Sequence, residues 1–301
     1  MISLIGNDSP LEIMNFPDGE SFVKFDYNNK PINILWRYEN DAELMVLAQM
    51  YDVMNRIDNT RRMTKNLFIP YFPHARQDRS ATDNQPFSLR VATRLLIDVI
   101  KNTNTLVCTL DIHSLVMNDL IVSLAKENTW QNVSSFHYAE HLKSNGYDAI
   151  IAPDKGAKGR ALNWQAELLK GETTLKTRGS FTNDDAIIRC EKVRDPETGK
   201  LSEPKVLEEY VGNLVSSKKA LLVDDIGTGF GTHVQLGNVL KKINPDMQLD
   251  IFVAHSSFTR GKDIVLDVFN KVYTTDSLPK GMLQVDDRIV RFDCTEFLPM
   301  V

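Results

Sequence analysis

The sequence predicts an α/β fold of two similar halves, each a mostly parallel sheet flanked by helices. Three observations carry this. Short apolar runs that read as buried strands alternate along the chain with stretches of helical period. The pattern restarts after the polar turn Ser144-Asn145-Gly146, which divides the chain into domains at 1–144 and 145–301. The charged and glycine-rich segments fall just after the apolar runs, and ligands in open parallel sheets sit outside the carboxyl ends of the strands.

In chain order, Asn40-Asp41-Ala42-Glu43 has the form of a capping box, and Leu44, Leu47, Ala48, Tyr51, Met54 and Ile57 follow on one helical face. A strand is predicted over 67–71, opening with Leu67-Phe68-Ile69, then a charged loop. The next helix turns Leu89, Ala92, Leu95, Leu96 and Val99 inward, and a strand over 106–110 runs into Asp111 and His113. In the second half the prediction is strand 149–152, helix 157–169, strand 220–223, helix 232–243 and strand 249–254. Between these, Glu191 to Leu201 reads as a hairpin turning at Pro196-Glu197-Thr198-Gly199.

At 301 residues the chain has room for two domains, and 42% hydrophobic with 25% charged residues is ordinary globular composition. A net charge of −5 without a basic run argues against nucleic acid or an anionic membrane as the main partner. Cys108, Cys190 and Cys294 are widely spaced and form no C-x-x-C pair, which suits a reducing compartment and suggests neither disulfides nor zinc. Cys108, inside Leu106-Val107-Cys108-Thr109-Leu110, reads as a core filler. No long apolar run appears, and Asn7 and Asp8 interrupt the start of the chain, so the expectation is a cytoplasmic protein.

The most informative stretch is Val223-Asp224-Asp225-Ile226-Gly227-Thr228-Gly229-Phe230-Gly231-Thr232. The apolar residues Ala220 to Val223 lead into two carboxylates, a loop with three glycines, and a helix with Leu236, Val239, Leu240 and Ile243 inward. A strand that empties through glycines into a helix N-terminus builds an anion site. The backbone comes close, loop N–H groups point inward and the helix dipole favours negative charge. Such a site suits a phosphate below and sugar hydroxyls at the carboxylates. No Gly-Lys-Ser/Thr follows, so it is not a Walker loop. Taken alone, a tight strand-to-helix turn accounts for the loop equally well.

A second set of segments narrows the reading. Pro70-Tyr71-Phe72-Pro73-His74-Ala75-Arg76-Gln77-Asp78-Arg79 is a highly specific string. Add Phe16-Pro17-Asp18-Gly19-Glu20, Thr109-Leu110-Asp111-Ile112-His113 and Ala152-Pro153-Asp154-Lys155-Gly156. With the Asp-Asp loop, in this order and spacing, the chain resembles the ribose-phosphate pyrophosphokinases, or phosphoribosyl-pyrophosphate (PRPP) synthetases, over roughly residues 13 to 290. The Asp-Asp glycine loop is shared with the wider phosphoribosyltransferase class.

The resemblance implies a type I phosphoribosyltransferase-like fold and transfer of the β,γ-diphosphate of Mg·ATP to the anomeric hydroxyl of ribose 5-phosphate, releasing AMP. It implies ATP binding by Phe16, Asp18 and Glu20, contributed by a neighbouring subunit of a homo-oligomer, and by Arg76, Gln77, Asp78 and His113. It gives His113 and Asp154 the Mg²⁺ ion, and Asp154, Asp224, Asp225, Thr228, Gly229, Gly231 and Thr232 the sugar phosphate. Lys176 and Arg178 match a catalytic pair on a loop that closes over the phosphates. Plainer readings stand beside these. Asp18-Gly19 is a strong hairpin dipeptide, a lone His after a strand is usually structural, and a Lys-x-Arg alone is an ordinary surface pair.

The chain also departs from the family. Where the family loop usually reads Asp-Thr-Gly-Gly-Thr, this one reads Thr228-Gly229-Phe230-Gly231-Thr232. An acidic residue is gone, a hydroxyl becomes glycine and an aromatic enters. The added room at Gly229 makes a 5′-extended acceptor such as ADP-ribose an alternative to ribose 5-phosphate; Phe230 packs in the core by default or stacks on a base. The segment 180–217 is longer than the family's connection and reads as a lid or extra wall. Ser80 to Gln85 lacks the basic residues that help form the family's allosteric phosphate and ADP site. Two other functions stay open. A phosphoribosyltransferase consuming PRPP has no need of the Arg-Gln-Asp-Arg loop. A non-catalytic regulatory homologue has no need of Lys176, Arg178, His113 and Asp154.

Overall fold

β-Branched and leucine-rich runs of four to six residues build the first sheet. The computed structural model describes residues 1–6, 10–124, 130–168, 187–191 and 204–299. Its first strands are β1 (Ile2–Ile5), β2 (Glu12–Asn15), β3 (Ser21–Lys24) and β4 (Ile32–Trp36). Helix α1 (Glu43–Ile57), β5 (Lys65–Ile69), α2 (Ser88–Ile100), β6 (Thr105–Leu110), α3 (Val116–Leu124) and β7 (Trp130–Val133) follow. The sheet order is β1-β4-β5-β6-β7, antiparallel at β1 and parallel throughout the rest, with β2 and β3 forming a separate hairpin. Strands β4 and β5 are buried at every position, as strands covered on both faces must be.

The helices differ from the sequence reading in register. α1 buries Val46, Leu47, Met50, Tyr51 and Met54, while Ile57, predicted inward, is 44% exposed. Its start is capped one residue off the expected box: the Asn40 carboxamide oxygen accepts from Ala42 N–H at 3.1 Å and Glu43 reaches back to Glu39 N–H at 2.9 Å. α2 buries Leu89, Thr93, Leu96 and Ile100 and leaves Leu95 48% exposed, against expectation. Thr93 takes the inward place because its hydroxyl donates to Leu89 O at 2.7 Å, which satisfies its one polar group inside its own helix.

β5 also begins two residues earlier than predicted, at a buried lysine. Lys65 Nζ donates to Asp58 at 2.9 Å, and Asp58 also accepts from the Thr60 hydroxyl and the Met63 amide, at 3.0 and 3.1 Å. Neither side chain of the ion pair is more than 1% exposed. Burial alone pushes the Asp58 carboxyl up, but Lys65 and the other donors outweigh it and bring it to about 2.

The second sheet contains β8 (Ala149–Ala152), β9 (Ile187–Glu191), β10 (Lys205–Val206), β11 (Lys219–Gly227), β12 (Gln248–Ser256), β13 (Val272–Thr275) and β14 (Ile289–Phe292). Helices α4 (Lys158–Leu168), α5 (Val211–Ser216), α6 (Gly231–Ile243) and α7 (Asp263–Leu266) connect them. The order is β10-β9-β8-β11-β12-β13-β14, parallel except at the β9–β10 edge. There Lys205 pairs with Glu191 and Val206 with Cys190, the antiparallel return that a hairpin requires. The expected turn at Pro196 to Gly199 lies outside the described residues, as do Lys176 and Arg178.

The α/β architecture with parallel sheets and flanking helices is therefore the predicted one. Contacts divide the chain into one unit of Met1–Ser134, Ser277–Pro279 and Cys294–Val301 and another of Ser135–Asp276 and Lys280–Asp293. All three cysteines are buried, and burial pushes the Cys108 thiol up to about 12. Among the described residues, no helix is long and apolar enough to cross a membrane.

Breaking the buried ion pair should be costly. Asp58→Ala leaves Lys65 charged without a counter-charge and is expected to lower unfolding free energy by about 3–5 kcal/mol in a urea titration. Because the folded-state pKa of Asp58 is depressed, its contribution is full above the unfolded value of about 4. It is lost as pH falls toward about 2. Equal acid sensitivity in the unmodified chain and in Asp58→Ala would count against this assignment.

Candidate active site

In the first unit, three loops hold candidate residues. The hairpin tip closes with Phe16 N–H donating to Glu20 O at 2.8 Å and Gly19 N–H to Phe16 O at 2.9 Å. Gly19 sits at φ +93°, a backbone that glycine adopts without strain. The hairpin reading of Phe16 to Glu20 is thus correct, and it leaves the Phe16 ring 50% exposed with Asp18 and Glu20 also in solvent. An exposed ring in the same turn as two exposed carboxylates offers a stacking face and hydrogen-bond acceptors.

The loop after β5 turns at His74, φ 58°, where Gln77 N–H donates to His74 O at 2.8 Å. Arg76 and Gln77 are exposed, while Asp78 is buried and takes Arg79 Nε at 2.9 Å. Arg79 beside it holds the Asp78 carboxyl below the usual range, and the charge of His113 acts in the same direction. His113 follows β6, where Asp111 at φ 44° bends the chain and Ile112 N–H donates to the Asn132 side chain at 3.2 Å. β5 and β6 are paired neighbours, so the loops carrying Arg76 to Asp78 and His113 leave the same edge of the sheet, and His113 lies close enough to act on Asp78.

In the second unit the site is built around β11. The strand was expected to end at Val223, but its pairing with β12 continues through Ile226–His255 and Gly227–Ser256. Asp224 and Asp225 therefore lie inside the strand. Both carboxylates are compensated: His233 Nε2–H, on α6, donates to Asp224 at 2.8 Å. Arg160, on α4, lies 3.7 Å from Asp224 and 3.9 Å from Asp225. Burial works to raise the Asp224 pKa, but the His233 hydrogen bond and Arg160 prevail and it falls well below the ordinary value. Asp154, half-buried just past β8, accepts Ala157 N–H at 3.1 Å and so faces the first turn of α4.

Thr228 and Gly229 form the turn, and Phe230 closes it in the left-handed region at φ 55° as the residue before α6. Its ring is buried, 4.9 Å from Phe258 and 5.6 Å from His233. Packing, not base stacking, is what Phe230 does. A Cβ on Gly227 would stand 2.5 Å from that ring, so glycine is required there. Gly231 and Thr232 open α6, whose first amides have no acceptor within the helix. These are the donors expected to meet a phosphate.

No protein-family model matches the chain. The ribose-phosphate pyrophosphokinase of Pyrococcus abyssi is 26% identical over 294 residues, covering 96% of this chain and 92% of the relative. That of Thermoplasma volcanium is 23% identical over 266 residues, covering 87% and 82%. The crystal structure of phosphoribosylpyrophosphate synthetase from Mycobacterium smegmatis matches with a TM-score of 0.73 at 19% identity, covering 96% of this chain and 88% of that one. This last likeness is one of fold. Over most of its length the chain is thus similar to ribose-phosphate pyrophosphokinases, at 23–26% identity.

The resemblance gives Mg²⁺ to Asp154 and His113, and the chemistry of each can be tested by itself. Asp154, a half-buried carboxylate, has the oxygen donors that suit a hard cation keeping most of its water, while His113 is an exposed imidazole, a softer nitrogen donor. Arg160 and His233 were missed by sequence reasoning. Arg160 carries a positional signal, since it lies in the first turn of the helix after the Asp154 loop. His233 carries none, because its partner is nine residues back on a strand.

The Gly227–Phe230 contact gives a direct check. Gly227→Ala should displace the ring and cost about 1–3 kcal/mol by urea unfolding, as overpacking does. Adding Phe230→Leu to that chain should recover part of the loss. Additive losses in the double variant would place the strain elsewhere.

Proposed function

We propose that this chain is an ATP-dependent pyrophosphokinase that forms the 1-diphosphate of a ribose 5-phosphate unit, by default PRPP itself. The observation that carries the reading is the charge-compensated Asp224–Asp225 pair, with Asp225 buried and Asp224 held through His233 to the first turn of α6. The carboxylates are acceptors for ribose hydroxyls, and the amides are donors for its 5′-phosphate. The naming of the relatives as ribose-phosphate pyrophosphokinases supports the same reaction.

In the reaction the anomeric oxygen forms a bond to the β-phosphorus of ATP. The bond from that phosphorus to the oxygen bridging the α-phosphate breaks, AMP leaves with the bridging oxygen, and the hydroxyl proton passes to solvent. Charge builds on phosphate oxygens, so positioning and electrostatic stabilisation do most of the work. Mg²⁺, with Asp154 and His113 as its residues, would supply Lewis-acid neutralisation of those oxygens. Lys176 and Arg178 are the cations proposed to clamp the transferring diphosphate. Arg76, Gln77 and Asp78 bind ATP in this scheme. Phe16, Asp18 and Glu20 reach the ATP site of a neighbouring subunit, for which the exposure of Phe16 is suited. Residues 1–144 then serve ATP and 145–301 serve the sugar phosphate.

ADP-ribose is the alternative acceptor, read from the side chain missing at Gly229. The space a Cβ there would take is bounded at 3.1 Å by Arg260 and Thr259, and the buried Phe230 ring offers no stacking face.

Purified protein with Mg²⁺ and ATP is expected to release AMP when ribose 5-phosphate is added, and not after chelation of the metal. ADP-ribose offered separately decides the acceptor by kcat/KM. Release of AMP with neither, together with consumption of PRPP by the same protein, would overturn the proposal in favour of a phosphoribosyltransferase. Lys176→Ala and Arg178→Ala should each lower kcat by about 10²-fold or more, with smaller changes in KM for ATP, if they act in the transition state.

A further inference from the structure

The glycine loop has a neighbour that the reading above leaves unused. After β12 the chain passes through Ser257 to Lys262 before α7, and this segment is pinned to the loop. Thr259 N–H donates to Thr228 O at 2.8 Å, the Thr259 and Ser257 hydroxyls donate to the same oxygen at 3.1 and 3.2 Å, and Ser257 N–H donates to Gly227 O at 3.2 Å. Phe258, at φ 46°, drives its ring into the core against Phe230, and Gly261 turns the chain at φ +83°. Arg260 is thereby presented from a backbone fixed on both sides.

Its side chain lies across the two glycines. A Cβ on Gly229 would stand 3.1 Å from the Arg260 Cγ and Cδ, and one on Gly231 would stand 2.9 Å from Nη1. The guanidinium is exposed, and no carboxylate among the described residues pairs with it. A cation at the amide end of a helix faces the positive pole of the dipole, an unfavourable place unless an anion lies between them. A planar fork of donors beside the start of α6 matches the non-bridging oxygens of a phosphate.

We infer that Arg260 is a substrate-binding residue that, with the first amides of α6, binds the 5′-phosphate of the acceptor. This rests on the sugar-phosphate reading of the same loop. It also gives Gly229 a reason: a Cβ there would crowd the Arg260 stem at 3.1 Å, so a hydroxyl-bearing side chain would have to push that stem aside.

Two measurements on the full chain test this. In the AMP-release assay, Arg260→Ala should raise KM for the phosphorylated acceptor about tenfold or more, with a far smaller fall in kcat, as loss of a charged hydrogen bond predicts. Arg260→Lys should recover part of that, since it keeps the charge without the fork. Gly229→Thr, which displaces the Arg260 stem, should raise KM in the same way. Calorimetric binding of ribose 5-phosphate and of ADP-ribose to the unmodified chain and to Arg260→Ala reads the contact without turnover. Weaker binding in the variant with no AMP release by either chain would sustain the inference and sink the pyrophosphokinase reading. Unchanged KM and unchanged binding, binding of neither compound by the unmodified chain, or a fall confined to kcat would each overturn the inference.

Discussion

A half-buried carboxylate inside a parallel strand is the constraint around which the second unit is organised. Asp224 lies in the middle of the β11–β12 ladder, largely shielded from water, where an uncompensated charge is costly. Its neutralisation has to come from other elements, and it comes from two, Arg160 on α4 and His233 on α6. The helices on either side of β11 are thus fixed by charge as well as by apolar packing. The same arrangement keeps the Asp224 carboxylate ionised and held at a set position, which an acceptor for sugar hydroxyls requires.

The turn after the strand meets a second, steric constraint. Gly227 has no side chain, so the Phe230 ring can lie against its backbone, and Phe230 in turn takes the left-handed conformation that starts α6. This pairing of a glycine with a buried ring compensates for a glycine-rich loop, which is otherwise prone to conformational freedom. The ring also anchors Phe258, and with it the segment that carries Arg260. A residue that looks, in the sequence, like an added recognition element is instead the pivot on which two loops are packed.

How much of this was legible in the sequence follows from the range of each interaction. Alternation of strand and helix, and the falling of Arg76 to Asp78 and His113 after strands, depend on local pattern and could be read directly. The face of α2 was misjudged because Thr93 was counted as polar, although its hydroxyl is satisfied one turn back. The length of β11 was misjudged because carboxylates were taken to end a strand. Arg160 and His233, which keep them inside it, are distant in sequence. The buried Lys65 escaped notice for the same reason, since its Asp58 partner makes a lysine acceptable at the start of β5. In each case the missing information was a tertiary partner that changes what a polar residue costs.

The burial of Cys108, Cys190 and Cys294 has a practical consequence for watching this protein work. A thiol reacts as its anion, and one that is both inaccessible and pushed toward high pKa, as Cys108 is, reacts slowly with maleimides or nitroxide reagents. The natural chain is in effect a silent background. A single cysteine placed on an exposed position would carry a dye or spin label from that position alone, with no need to strip the core of its own sulfur.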